Sequence, residues 1–191
     1  MANTGDAQAA GQAATASEDE VDRIIAQWRN ERPDLDPSPM GVFGRLARIS
    51  IARQSLLTKF MAQYDLSPAG FDVLANLRRS GPPHRKTPSE LATSSLLSSG
   101  GVTFRLDRLE AAGLIRRVPS PTDRRVMYAE LTPEGLALID DVMKIHLEHE
   151  HELLVDFSQE ERDTLARLLS KLEASLRSSA TTDAAGDGRR R

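Results

Sequence analysis

The sequence contains no cysteine. Disulfides, thiolate metal sites and thiol-based redox switches are therefore excluded. Aromatic residues are scarce, at 4%, so Leu, Ile, Val and Ala must fill the interior. No apolar run approaches the roughly 18 residues that a membrane-spanning helix needs. Residues 2–17 hold no Leu, Ile, Val or Phe, so no secretory apolar core is expected there and the expected location is cytoplasmic. No Gly-rich phosphate loop follows a strand, and no Ser/His/Asp set has an activating motif around it, so no enzyme and no cofactor are expected. His146, His149 and His151 alternate with Glu148, Glu150 and Glu152. They are read as a solvated helix face, with no metal.

What is present is a soluble composition, 39% hydrophobic and 28% charged over 191 residues, enough to bury a core. Net charge is −3, which alone argues weakly against a nucleic-acid partner. Its distribution argues the other way. Between Arg78 and Arg125 stand ten Lys and Arg against four acids, so this segment is +6 and the remainder −9. A basic block in an acidic chain is the electrostatic footprint of a polyanion partner.

Residues 1–17 and 179–191 are expected to be disordered tails, being rich in Ala, Gly, Ser and Thr. In residues 18–66, Val21, Ile24, Ile25 and Trp28 share one helical face from Asp19 to Arg32. The prolines from Pro33 to Pro39 stop that helix, and a long one follows from Met40 to Tyr64. Residues 67–132 carry the chemistry. Ser67-Pro68 opens a helix that turns Phe71, Leu74 and Leu77 inward. Thr87-Pro-Ser-Glu90 is a capping box with Pro at the first helical position. A Ser-rich turn leads into a second short helix through Leu106, then a strand, a basic loop and a second strand. In residues 133–178, Thr132-Pro133 and Ser158-Gln-Glu-Glu161 open two more helices, the last with a stripe of Leu165, Leu168, Leu169, Leu172 and Leu176. The fold expected is mostly α (α+β), a winged helix-turn-helix with long terminal dimerisation helices.

The second short helix is the candidate reader of DNA. With Leu106 at the centre of its buried face, Val102 and Leu109 point the same way. Gly100, Gly101, Phe104 and Arg108 point toward the major groove, and Thr103 is taken with them. The paired glycines are placed inside this helix, where each costs roughly 1 kcal/mol relative to Ala, in exchange for close approach to the duplex. Ser98 and Ser99 stand at its amino end, where hydroxyls bond phosphates or base edges. Phe104 either touches a thymine methyl or packs; Arg108 meets a guanine edge or a phosphate. Arg124 and Arg125 at the hairpin tip suit a narrow minor groove or its phosphates, with Asp123 bonding the loop that holds them.

The motifs Glu90-Leu-Ala, Val102-Thr, Leu106-Asp-Arg-Leu-Glu, Ala112-Gly-Leu-Ile, Asp123-Arg-Arg and Leu131-Thr-Pro-Glu-Gly closely resemble the MarR family of bacterial transcription regulators. The similarity runs from about Val21 to Leu176. It implies a repressor that binds a palindromic operator in double-stranded DNA as a homodimer and is released by a small anionic ligand. A narrower likeness, to the urate-responsive subgroup, implies a ligand site built from Trp28, Asp72, Arg105 and Arg117. The anion (urate, another purine or a phenolic acid) is left open by these residues. The alternative reading is a ligand-binding or interaction protein whose helix-turn-helix is only structural.

Overall fold

The computed structural model describes residues 18–94, 101–123 and 125–187. The chain divides into two compact units at Asp65–Leu66.

The first unit is a helix pair, α1 (Glu20–Glu31) and α2 (Met40–Ala62). Asp19 caps α1 through a reciprocal box with Asp22. Arg45 of α2 then clamps that start: its Nε donates to Asp19 at 2.9 Å and a terminal nitrogen to Asp22 at 2.8 Å. Arg45, first of all, holds the Asp22 carboxyl below its usual range. Gly44 lets the helices cross closely, since a Cβ there would sit 3.1 Å from Val21. Val21 and Ile25 are buried.

The second unit holds three helices around a small sheet, followed by two long helices. The helices are α3 (Pro68–Arg79), α4 (Pro88–Ser94) and α5 (Val102–Ala111); the strands are β1 (Arg85–Lys86), β2 (Ile115–Pro119) and β3 (Met127–Leu131). The sheet is antiparallel in the order β1-β3-β2. Arg85 and Lys86, just ahead of the Thr87 capping box, supply the third strand, pairing Arg85 with Glu130. Helix α3 is the scaffold: every residue from Gly70 to Leu77 is buried. It packs on α5 and on the later helix α6 (Pro133–Leu153), and α4 packs on α5.

The sequence signals for helix starts correspond to the observed caps. Ser67 accepts from Gly70 N–H at 3.0 Å. Thr87 and Glu90 form the capping box of α4. Thr132 caps α6 (Pro133–Leu153), and Ser158 with Glu161 opens α7 (Gln159–Asp187). Helix α7 runs to Asp187, past Ser178, where the sequence reading begins a disordered tail.

The wing is tied to α6 at one crowded point. Thr132 Oγ1 donates to Gly113 O at 2.7 Å and accepts from Gly135 N–H at 3.0 Å, while Thr132 N–H donates to Leu114 O at 3.1 Å. A Cβ on Gly135 would lie 1.9 Å from Leu114 O, so no other residue fits. That is the physical content of Leu131-Thr-Pro-Glu-Gly. Among the described residues, no helix is long and apolar enough to cross a membrane.

Candidate nucleic-acid interface

Helix α5 follows α4 and turns Val102, Leu106 and Leu109 into the core. Phe104 is left 66% exposed, and Thr103 and Arg108 are exposed with it. The Arg108 guanidinium sits 6.0 Å from the Phe104 ring centroid. The geometry corrects the reading of Gly101. It lies outside the helix as its N-cap, with φ +74°, and a Cβ there would meet nothing within 4 Å. Gly101 therefore serves the left-handed entry to the helix and costs the helix interior nothing. Ser98, Ser99, Gly100 and Arg124 lie outside the described residues.

The wing loop is ordered by its own side chains. Buried Ser120 donates its N–H to Val126 O at 2.9 Å and accepts at Oγ from Thr122 N–H at 3.3 Å. Asp123 accepts from the Arg125 backbone N–H at 2.9 Å, the loop-holding part expected of it. Arg125 is exposed.

Much of the basic block is neutralised internally. Glu130, only 8% exposed, is bracketed in register by Arg85 on β1 and Arg116 on β2. Arg116 donates to it from Nε at 3.1 Å; a carboxylate so deep in a sheet needs such partners. Arg78 bonds Asp140 at 2.6 Å. Arg117 of β2 forks across α5, reaching Asp107 at 2.5 Å and Glu110 at 2.8 Å. Asp107, above all, holds the Arg117 proton more firmly than usual. Among the described residues of the segment, Arg79, Arg108 and Arg125 are the exposed arginines with no ion pair to a carboxylate, and Arg79 donates to the Ser94 carbonyl at 2.7 Å.

A polar cluster that sequence reasoning missed lies behind the helix-turn-helix. Lys86 Nζ donates to Asn76 Oδ1 at 2.7 Å and to Ser94 Oγ at 3.2 Å. Asn76, fully buried, donates to Ser94 Oγ at 2.9 Å. Three elements, α3, β1 and α4, are thereby pinned at the last turn of α4.

The four residues expected to hold an anion are placed as follows. Asp72 is buried on α3, at 5% exposure, and Arg105 is half-buried on α5, which packs against α3. Arg117 is on β2, engaged by Asp107 and Glu110. Trp28 is in the other unit and 45% exposed, so it is no core residue of α1. His146 stacks edge-on against Phe71, at 5.0 Å between centroids, and faces Glu150 at 3.4 Å.

A three-helix scaffold whose α5 stands exposed beside a β-hairpin with an arginine at its tip defines a winged helix-turn-helix, a DNA-binding transcriptional regulator. The MarR family profile matches residues 64–126. The transcriptional regulator PecS of Dickeya dadantii is 46% identical over 157 residues, covering 82% of this chain and 95% of its own length. The chain belongs to the MarR family. Among solved structures, AbsC of Streptomyces coelicolor, a MarR family regulator, aligns with a TM-score of 0.67 at 24% identity, over 75% of this chain and 97% of that one. A mutant of MarR from Escherichia coli in complex with operator DNA aligns with a TM-score of 0.59 at 27% identity, over 76% and 96%.

Proposed function

We propose that this chain is a repressor that binds a palindromic operator as a homodimer in the cytoplasm and is released by a small anion. The observation that carries the DNA part is the pairing of an exposed recognition helix with an exposed wing arginine, on a unit whose α5 carboxylates are partly compensated by Arg117. Unopposed Asp107 and Glu110 would repel phosphates; Arg117 between them offsets one of the two charges. Thr103, Phe104 and Arg108 face outward for the major groove, and Ser98, Ser99, Gly100 and Gly101 belong to the approach at its amino end. Arg124 and Arg125 are assigned to the minor groove or its phosphates. The solved complex of the Escherichia coli relative with operator DNA supports this reading.

Self-association is supported by apolar surface on the long helices. Leu153 at the end of α6, Val155 and Phe157 in the turn after it, and Leu165, Leu168, Leu169 and Leu176 on α7, are 41–73% exposed. So much apolar helix surface in one stretch marks an interface. A two-fold pair of reading helices suits half-sites about 34 Å apart.

For the effector, Trp28, Asp72, Arg105 and Arg117 remain the proposed set. An indole 45% exposed offers a stacking face, and an arginine fork suits a flat anion. The anion would have to compete with Asp107 and Glu110 for Arg117. Thermal shift with urate, another purine and a phenolic acid tests this. About 100-fold excess over the dissociation constant should add about 2.7 kcal/mol, and R105A and R117A should abolish the gain. An unchanged gain in both variants would remove the site. For the DNA reading, gel shifts of wild type, R108A and R125A on operator and random duplex decide. Wild-type affinity for operator in both variants would leave the helix-turn-helix a structural element only.

A further inference from the structure

We infer that Phe104 and Arg108 act as one reading unit for a thymine–guanine step, 5′-TpG-3′, in the major groove of each half-site. The inference rests on the proposed reading of α5 as the recognition helix and deepens it to a base sequence.

The outward side of α5 is nearly bare. Opposite Val102, Leu106 and Leu109, the helix offers Phe104, Arg108 and Ala111, with the capping Gly101 just before it. Gly and Ala lack the reach to a base edge. Asp107 stands about 100° from Arg108 around the helix and is held by Arg117. Thr103 is exposed at the edge of this face but short, so the two side chains with the longest reach toward base edges are Phe104 and Arg108. They are four residues apart, so they lie about 40° apart in azimuth and about 6 Å along the axis. Arg108 rests 6.0 Å from the Phe104 ring centroid, within cation–π range, so the pair presents one continuous surface: an apolar ring and a planar fork of donors.

Phe104 is the most exposed aromatic among the described residues, at 66%, in a chain with 4% aromatics. A ring left in water on a soluble domain costs solubility and contributes nothing to the core, whereas against DNA it has a defined partner. In the major groove the only apolar group is the thymine C5-methyl, and the best partner for an arginine fork is guanine O6 and N7. A thymine on the 5′ side of a guanine sets its methyl beside that edge. One base step thus matches the ring and the fork at once, and the ring in turn restricts the rotamers of Arg108, so the fork arrives pre-oriented.

The test is selection of the full chain against a randomised duplex library at fixed ionic strength, followed by analogue substitution in the enriched site. The expected motif carries TpG in each half. Replacing that thymine by deoxyuridine removes only the methyl and weakens wild type about threefold to fivefold, while leaving F104A unaffected. Replacing the guanine by 7-deazaguanine weakens wild type about tenfold and leaves R108A unaffected. R108K does not restore the guanine preference, because an ammonium cannot form the bidentate pair. Both side chains are exposed, so melting temperatures should be those of wild type, and any fall in affinity then belongs to the interface. An enriched motif without TpG, or equal uridine penalties in wild type and F104A, overturns the pairing while leaving DNA recognition intact. Failure to enrich any motif over random duplex overturns the recognition-helix reading itself.

Discussion

Arg117 and Arg108 show how two residues of one type, nine positions apart, are given opposite work by their neighbours. Arg117 on β2 is closed into a fork with Asp107 and Glu110, so its charge is spent holding wing to helix. Arg108, on the outer face of α5, has an aromatic ring beside it instead. Arg117→Ala should therefore act twice: it frees two carboxylates to face phosphate and it loosens α5 from β2. The pairs are partly exposed, so the stability loss should be small, about 1 kcal/mol, whereas DNA affinity falls well over tenfold. Chemical denaturation alongside gel shifts separates the two; a large stability loss with unchanged affinity would contradict the assignment. Arg125→Ala should remove one phosphate contact and flatten the log affinity against log salt slope by about 0.9, without altering self-association. Gly135→Ala makes a contrasting prediction. Its Cβ would meet backbone, not a movable side chain, so the cost should be about 3 kcal/mol, read as a lower melting temperature with no ligand or DNA present.

At the scale of elements, local chemistry accounts for nearly every helix start. Ser67, Thr87, Thr132 and Ser158 each bond the N–H three residues on, and these were legible in the sequence because a cap needs only four consecutive residues. The box at α4 also makes a pH prediction. Bonds from Thr87, backbone N–H first, hold the Glu90 carboxyl below its ordinary value of 4.5. A depressed carboxylate contributes stability that is complete above that value and lost as pH falls through the folded-state value. The melting-temperature gap between wild type and E90Q should thus be constant near neutrality and close below about pH 4.5; a gap that widens on acidification would contradict the cap. Other elements were not legible. The Lys86–Asn76–Ser94 cluster joins residues that are neighbours only after β1 has paired with β3. Buried Glu130 was hidden too, although a register argument finds its partner: Arg116 and Glu130 are each seven residues from Asp123, so a symmetric hairpin sets them opposite. Gly101 was misplaced because sequence alone does not separate a glycine inside a helix from one that caps it in the left-handed region.

For the whole molecule, the basic excess between Arg78 and Arg125 overstated the field it presents. Arg78, Arg85, Arg116 and Arg117 are matched by Asp140, Glu130, Asp107 and Glu110. Among the described residues, what remains for DNA is sparse and local, at Arg79, the outer face of α5 and the wing tip, so one copy alone would bind weakly and two would be needed for a specific grip. In the proposed homodimer, the long apolar stretch of α6 and α7 would bring the two copies together. The most direct measurement is the mass of the protein–DNA complex by sedimentation, on the selected palindromic duplex and on a random duplex of equal length at the same ionic strength. Two chains per palindromic duplex, with little complex on the random one, is the predicted result; a single chain per duplex, or equal binding to both, would contradict the account.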